Sequence, residues 1–203
     1  MLAFAQVEIA LASYLGVREE NRDRFRARLK QLQRSGWPTG VNTGGKRSEY
    51  GAHQLLELAF VLELLECGIS PERAVRLVQG LWGSVRKAFL AARTNPDEQV
   101  MLGFFQTHFT GLSLQEGEAD IGDEDEGAFV FSITINETPE ELAELQKWLS
   151  APRYITINVS RILFDLTAGL REAGAESAFV WAETEKWKGE LNLPGRRLGP
   201  RGN

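Results

Sequence analysis

The chain has 203 residues, with 43% hydrophobic and 25% charged side chains, and its 23 basic and 28 acidic groups give a formal net charge of −5. Such totals fit one large or two small globular domains with a proper core. The single cysteine, Cys67, excludes an intramolecular disulfide and a cysteine-based metal cluster. Charge is spread unevenly: residues 1–50 hold nine basic and five acidic groups, whereas 51–203 hold 14 and 23. That polarity predicts two functional halves, the first of them suited to an anionic partner.

The opening MLAFAQVEIALASYLG is apolar but lacks a basic start and contains Glu8. It is too short to span a bilayer, so neither a signal peptide nor a membrane partner is expected. Apolar residues at 4, 7, 11 and 15 predict a short amphipathic helix, broken by Gly16-Val17. A second helix is expected from about residues 18–21. On it Phe25, Leu29 and Leu32 share one face, while Asp23, Ala27, Lys30 and Arg34 lie opposite, flanked by Arg24 and Arg26. Ser35-Gly36 ends this helix and Pro38 prevents a restart. Between Arg18 and Arg47 the count is nine basic against three acidic residues, a cationic stretch on an acidic chain. A helix, a turn and a basic second helix form a helix-turn-helix pattern.

Residues 39–50, TGVNTGGKRSEY, read as a β-hairpin or wing turning at Gly44-Gly45. Gly40 to Lys46 approaches the phosphate-loop pattern, but Arg47 stands where that motif needs Ser or Thr, and no buried strand precedes it. A wing whose Lys46 and Arg47 reach a phosphate backbone is the better reading. Gly51 to Cys67 predicts a strongly apolar helix with Gly68 just past its end. Ser70-Pro71-Glu72 then opens a helix through Val78, with a break expected at Gly80 before a continuation from Leu81 to Ala92.

The pieces LASYLGV, LQRSGWP, GGKRSEY and LLECGISPERAVRLV, in this order, resemble the winged helix-turn-helix domain of MerR-like regulators over roughly residues 4–80. Leu29 and Lys30 stand at the leucine and arginine positions of that family's signature. The resemblance implies a winged helix-turn-helix fold and a DNA-binding transcription regulator of bacterial type.

Farther along, Val100–Phe105 fits either a strand or a short buried helix. Residues 115–127 contain seven acids and no base, expected to form an exposed linker. They lack the regular spacing of a calcium loop. Alternation at Phe129, Phe131, Ile133 and Ile135 predicts a strand; Thr138-Pro139-Glu140-Glu141 predicts a helix start. Ile155, Ile157 and Val159 predict a second strand, and Ser160 the cap of a helix carrying Ile162, Leu166 and Leu170. This strand–helix–strand–helix order suggests a small α/β module. The expected fold class is therefore α+β. A winged helix-turn-helix domain would occupy 1–93, a connecting segment 94–127, an α/β dimerisation or effector domain 128–190, and a disordered basic tail 191–203.

Two histidines, His53 and His108, are too far apart to share a metal site with each other or with Cys67, which reads as a small buried hydrophobe. Trp148, Trp181 and Trp187 are candidates for a ligand pocket or dimer interface, with core packing expected of Trp148. No catalytic constellation stands out, so neither enzymatic activity nor a cofactor or metal is expected. The expected function is sequence-specific regulation of transcription by a cytoplasmic, nucleoid-associated homodimer bound to double-stranded DNA. Asn21, Arg22, Arg24, Arg26 and Lys30 would contact the major groove, and Asn42, Thr43, Lys46 and Arg47 would act from the wing. An alternative is an adaptor that binds RNA polymerase or a sigma subunit through the acidic C-terminal half.

Overall fold

The computed structural model describes residues 1–41, 49–94, 98–105, 128–134 and 154–190. The expected wing turn with Asn42, Thr43, Lys46 and Arg47, the acidic run 115–127, the helix expected from Thr138, and His108, Trp148 and the tail expected from 191 all lie outside them. The described residues form a mixed, mostly helical fold. In chain order they are β1 (Leu2–Ala3), α1 (Phe4–Tyr14), a single 3₁₀ turn (Glu19–Asn21), α2 (Arg22–Arg34), β2 (Glu49–Tyr50), α3 (Ala52–Glu66) and α4 (Pro71–Thr94). There follow β3 (Glu98–Phe105), β4 (Ala128–Thr134), β5 (Tyr154–Asn158), α5 (Val159–Glu172) and α6 (Ala178–Glu190).

Backbone proximity divides the chain into two units, residues 1–79 with 161–186, and residues 80–160 with 187–203. The boundary expected at residue 93 thus falls inside the second of these groupings.

In the first unit, α1 buries Val7 and Leu11, α2 buries Phe25, Leu29 and Leu32, and α3 is enclosed over most of its length. Ile162, Leu163, Leu166 and Leu170 of α5 add to that core. Each large aliphatic or aromatic side chain so buried contributes about 1.5–3 kcal/mol. The approach of α5 to α1 is close: a Cβ on Gly169 would lie 2.4 Å from the Ala10 carbonyl oxygen. Only a residue without a side chain fits there. β1 and β2 pair antiparallel, Leu2 opposite Tyr50 and Ala3 opposite Glu49. The described end of the expected wing therefore pairs with the chain's first residues.

In the second unit the three strands run in the order β4-β3-β5, both outer strands antiparallel to β3. Within the segment expected as a connection, Glu98–Phe105 form the central strand, so of the two readings open for Val100–Phe105 the strand holds. Val100 and Leu102 are buried and alternate as a strand requires, but Met101, Phe104 and Phe105 make the run continuously apolar and hide that period. An α/β module confined to 128–190 is corrected accordingly: its two strands are joined through β3. Asn158 Nδ2 donates to Gln99 Oε1 across the pair at 2.9 Å. Ser160, expected to cap α5, instead lies inside it, and its hydroxyl accepts the Val100 N–H at 2.9 Å.

Three further expectations are corrected. α4 is one helix of 24 residues with no break at Gly80. An interior glycine costs only about 1 kcal/mol, and the buried series Ala74, Val78, Leu81, Val85, Ala88 keeps helical spacing straight through it. Cys67 is exposed rather than buried, because it sits at the C-terminal end of α3, past the last buried turn. Trp187 lines neither an open pocket nor an exposed surface: it is buried against Trp82, with ring centroids 6.0 Å apart and planes at 84°, with Phe89 beside it and the Arg86 guanidinium 5.2 Å from its ring.

Candidate nucleic-acid interface

Two glycines delimit α1 and α2. After α1, Gly16 takes φ 63°, its N–H bonds Ser13 O, and the Val17 N–H reaches Ala12 O at 2.8 Å. After α2, Gly36 takes φ 82°, bonds Gln33 O, and the Trp37 N–H reaches Leu32 O at 3.0 Å. Both ends are Schellman caps, which require the left-handed conformation that glycine adopts without steric cost. The second cap drives Trp37 into the core at 1% exposure, so the chain leaves α2 abruptly.

The candidate contact residues on α2 behave differently from one another. Arg26 is committed internally: its Nε donates to Glu8 Oε2 at 2.7 Å and its Nη2 to Glu8 Oε1 at 3.0 Å, with Asp23 at 3.4 Å. The hydrogen bond to Glu8 and then the charge of Glu8 hold the guanidinium above its ordinary pKa. Because Glu8 is buried, this fork ties α1 to α2 and supplies the partner that a buried carboxylate needs. Arg22 is half-buried, with its Nε 3.7 Å from Glu19. Asn21 occupies the N-cap position but makes no side-chain capping bond.

Arg24 and Lys30, by contrast, are exposed and make no ion pair among the described residues. Arg28 and Arg34 share that condition, and Arg28 is a residue that sequence reasoning passed over. Its signal was present, since Arg28 lies one helical turn beyond Arg24. The Glu8 partner of Arg26 had no local signal, being 18 positions away.

The segment that follows α2, where a wing was expected, is fastened to α3 at Thr39. Thr39 Oγ1 donates to Glu57 Oε1 at 3.4 Å, and Gln54 Nε2 donates to the Thr39 carbonyl at 3.4 Å. Glu57 is buried and also meets His53 Nε2 at 3.2 Å. Farther along α3, Glu63 accepts a hydrogen bond from Tyr14 Oη. Burial, then that bond and the Glu63 charge, push the Tyr14 phenol well above its ordinary range. The Cys67 thiol is also raised, by partial desolvation first and then by Glu63 and Glu66, which keeps it protonated and poorly nucleophilic near neutral pH.

The sequence matches no protein-family model and no curated protein. Among the described residues no group of three or more His, Cys, Asp or Glu side chains is arranged to hold a metal ion. Nor is any described helix long and apolar enough to cross a membrane. What α2 offers chemically is a cationic face on a helix whose other face is anchored in a core, an arrangement suited to a polyanion.

Proposed function

We propose that this chain is a sequence-specific DNA-binding regulator of transcription, resembling MerR-like winged helix-turn-helix proteins in residues 4–80. α2 acts as its recognition helix in the major groove. The carrying observation is the division of α2. Phe25, Leu29 and Leu32 are buried, while Arg24, Arg28, Lys30 and Arg34 stand exposed without ion-pair partners among the described residues. Lys46 and Arg47, which lie outside the described residues, are assigned by their sequence to contacts with the phosphate backbone. A single helix reads few base pairs, so the regulator works as a homodimer on a two-fold-symmetric site within the nucleoid.

The test is binding of the full chain to random-sequence duplex across a salt series. Affinity is expected to fall linearly on a double-logarithmic plot, by about 0.9 per phosphate contact. Lys46→Ala with Arg47→Ala should shallow that slope by roughly two units. Absent or salt-independent binding would remove DNA as the partner; an unchanged slope in the double variant would remove the wing.

A further inference from the structure

Resting on that reading, we infer that Ala27 and Gln31 form the base-reading strip of α2, that the four exposed cations straddle it, and that the strip takes an adenine·thymine pair. At about 100° per residue, Arg24 and Arg28 form one row along the helix and Lys30 and Arg34 a second, roughly 120° away. Ala27 and Gln31 fall midway between the rows, on the solvent side of the helix, with Ala27 almost directly opposite the buried face of Phe25, Leu29 and Leu32. Both residues are exposed, and the Gln31 side chain makes no hydrogen bond among the described residues.

A helix about 10–12 Å across fills a major groove roughly 12 Å wide. Seated with the strip toward the base pairs, it turns one cation row toward each wall of phosphates. Ala27 and Gln31 are separated by about 6 Å along the axis, close to the rise of two base pairs. The carboxamide of Gln31 offers a donor and an acceptor to adenine N7 and N6, and the Ala27 methyl suits apolar contact with a thymine methyl.

The charges at the start of α2 fix where along the helix this contact lies. Glu19 and Glu20 precede the helix, and Asp23, which is almost fully exposed, lies on the Lys30 row about two turns earlier. Set beside Arg22, Arg18 and Arg26 respectively, Glu19, Glu20 and Asp23 leave the first turn without the surplus of positive charge that the four cations of residues 24–34 supply. The contact is therefore centred on residues 24–34, away from Asn21 and Arg22.

Selection of bound sites from a random DNA pool, run with wild type and Gln31→Ala, tests the strip. The exchange is exposed and favours helix, so thermal unfolding should be unaffected. Gln31→Ala is expected to keep the affinity and salt slope for random duplex while losing roughly 5- to 150-fold preference for adenine at one position. Ala27→Glu, which places an acid between the cation rows, is expected to weaken random-duplex binding by roughly tenfold or more at unchanged Tm. An unaltered site preference in Gln31→Ala, or wild-type binding by Ala27→Glu, overturns the strip while leaving DNA binding standing. Failure of the wild-type chain to bind any duplex overturns both.

Discussion

Helices α2 and α3 are close in sequence and similar in length, 13 and 15 residues, yet they use their surfaces in opposite ways. α3 buries ten residues, and its carboxylates Glu57 and Glu63 are engaged with Thr39, His53 and Tyr14. α2 buries three, and four of its cations meet no opposite charge among the described residues. An unsatisfied charge on a well-anchored helix contributes little to folding. It is instead available to a partner. The difference teaches that α3 is committed to the core almost throughout, whereas α2 is anchored by one face and by the Glu8–Arg26 pair, leaving the other face for the partner proposed above.

The contrast would break most visibly at α3. Leu56→Ala opens space at a fully enclosed position and should lower unfolding free energy by about 2–5 kcal/mol in a denaturant titration. Its folded fraction should bind duplex as wild type does. Replacing Arg24, Arg28, Lys30 and Arg34 together by Ala should do the reverse. Thermal stability should hold or rise slightly, because alanine favours helix, while the salt slope of duplex binding shallows by roughly three to four units. A large loss of stability in that variant would mean the four cations belong to the fold.

Arg26→Ala sharpens the comparison from within α2. It leaves the Glu8 carboxylate buried without its partner, so Tm should drop more than for Arg24→Ala. Salt dependence of binding should change less than for Arg24→Ala, and equal effects on both measurements would erase the distinction between the two arginines.

The smallest effect concerns Tyr14 on the α3 side. Its phenol is raised above the ordinary value of 10.0 in the folded chain, so the folded state holds a proton that the unfolded state releases near that value. Stability from this group is complete below about pH 10 and declines as pH rises further. Tyr14→Phe should lower Tm at neutral pH by losing the bond to Glu63, yet flatten the decline between about pH 10 and pH 11. Tyr50, also raised by burial, leaves a residual slope. An identical alkaline decline in both proteins would show that Tyr14 carries none of it.

Much of this architecture was readable from local patterns. The limits of α1, α2 and α3 follow from apolar spacing and from glycines at Gly16, Gly36 and Gly68, because helix periodicity and left-handed caps act over a few residues. Phe25, Leu29 and Leu32 were assigned inward for the same reason, and strands β4 and β5 showed themselves by alternation. Arg24 and Lys30 were legible as outward-facing cations.

Other features depended on partners distant in sequence. Arg26 has the same local pattern as Arg24, and only the nearness of Glu8 on α1 engages its guanidinium. β3 could be recognised as a central strand only with β4 and β5 beside it, since a continuous apolar run serves a buried strand or helix equally. The Trp82–Trp187 pair likewise joins residues far apart along the chain. Local sequence thus specifies which segments are helices and which of their faces are apolar. Which charge is paired, which strand is central and which cations stay available is set by packing, because electrostatic and hydrophobic partners are chosen by distance in space.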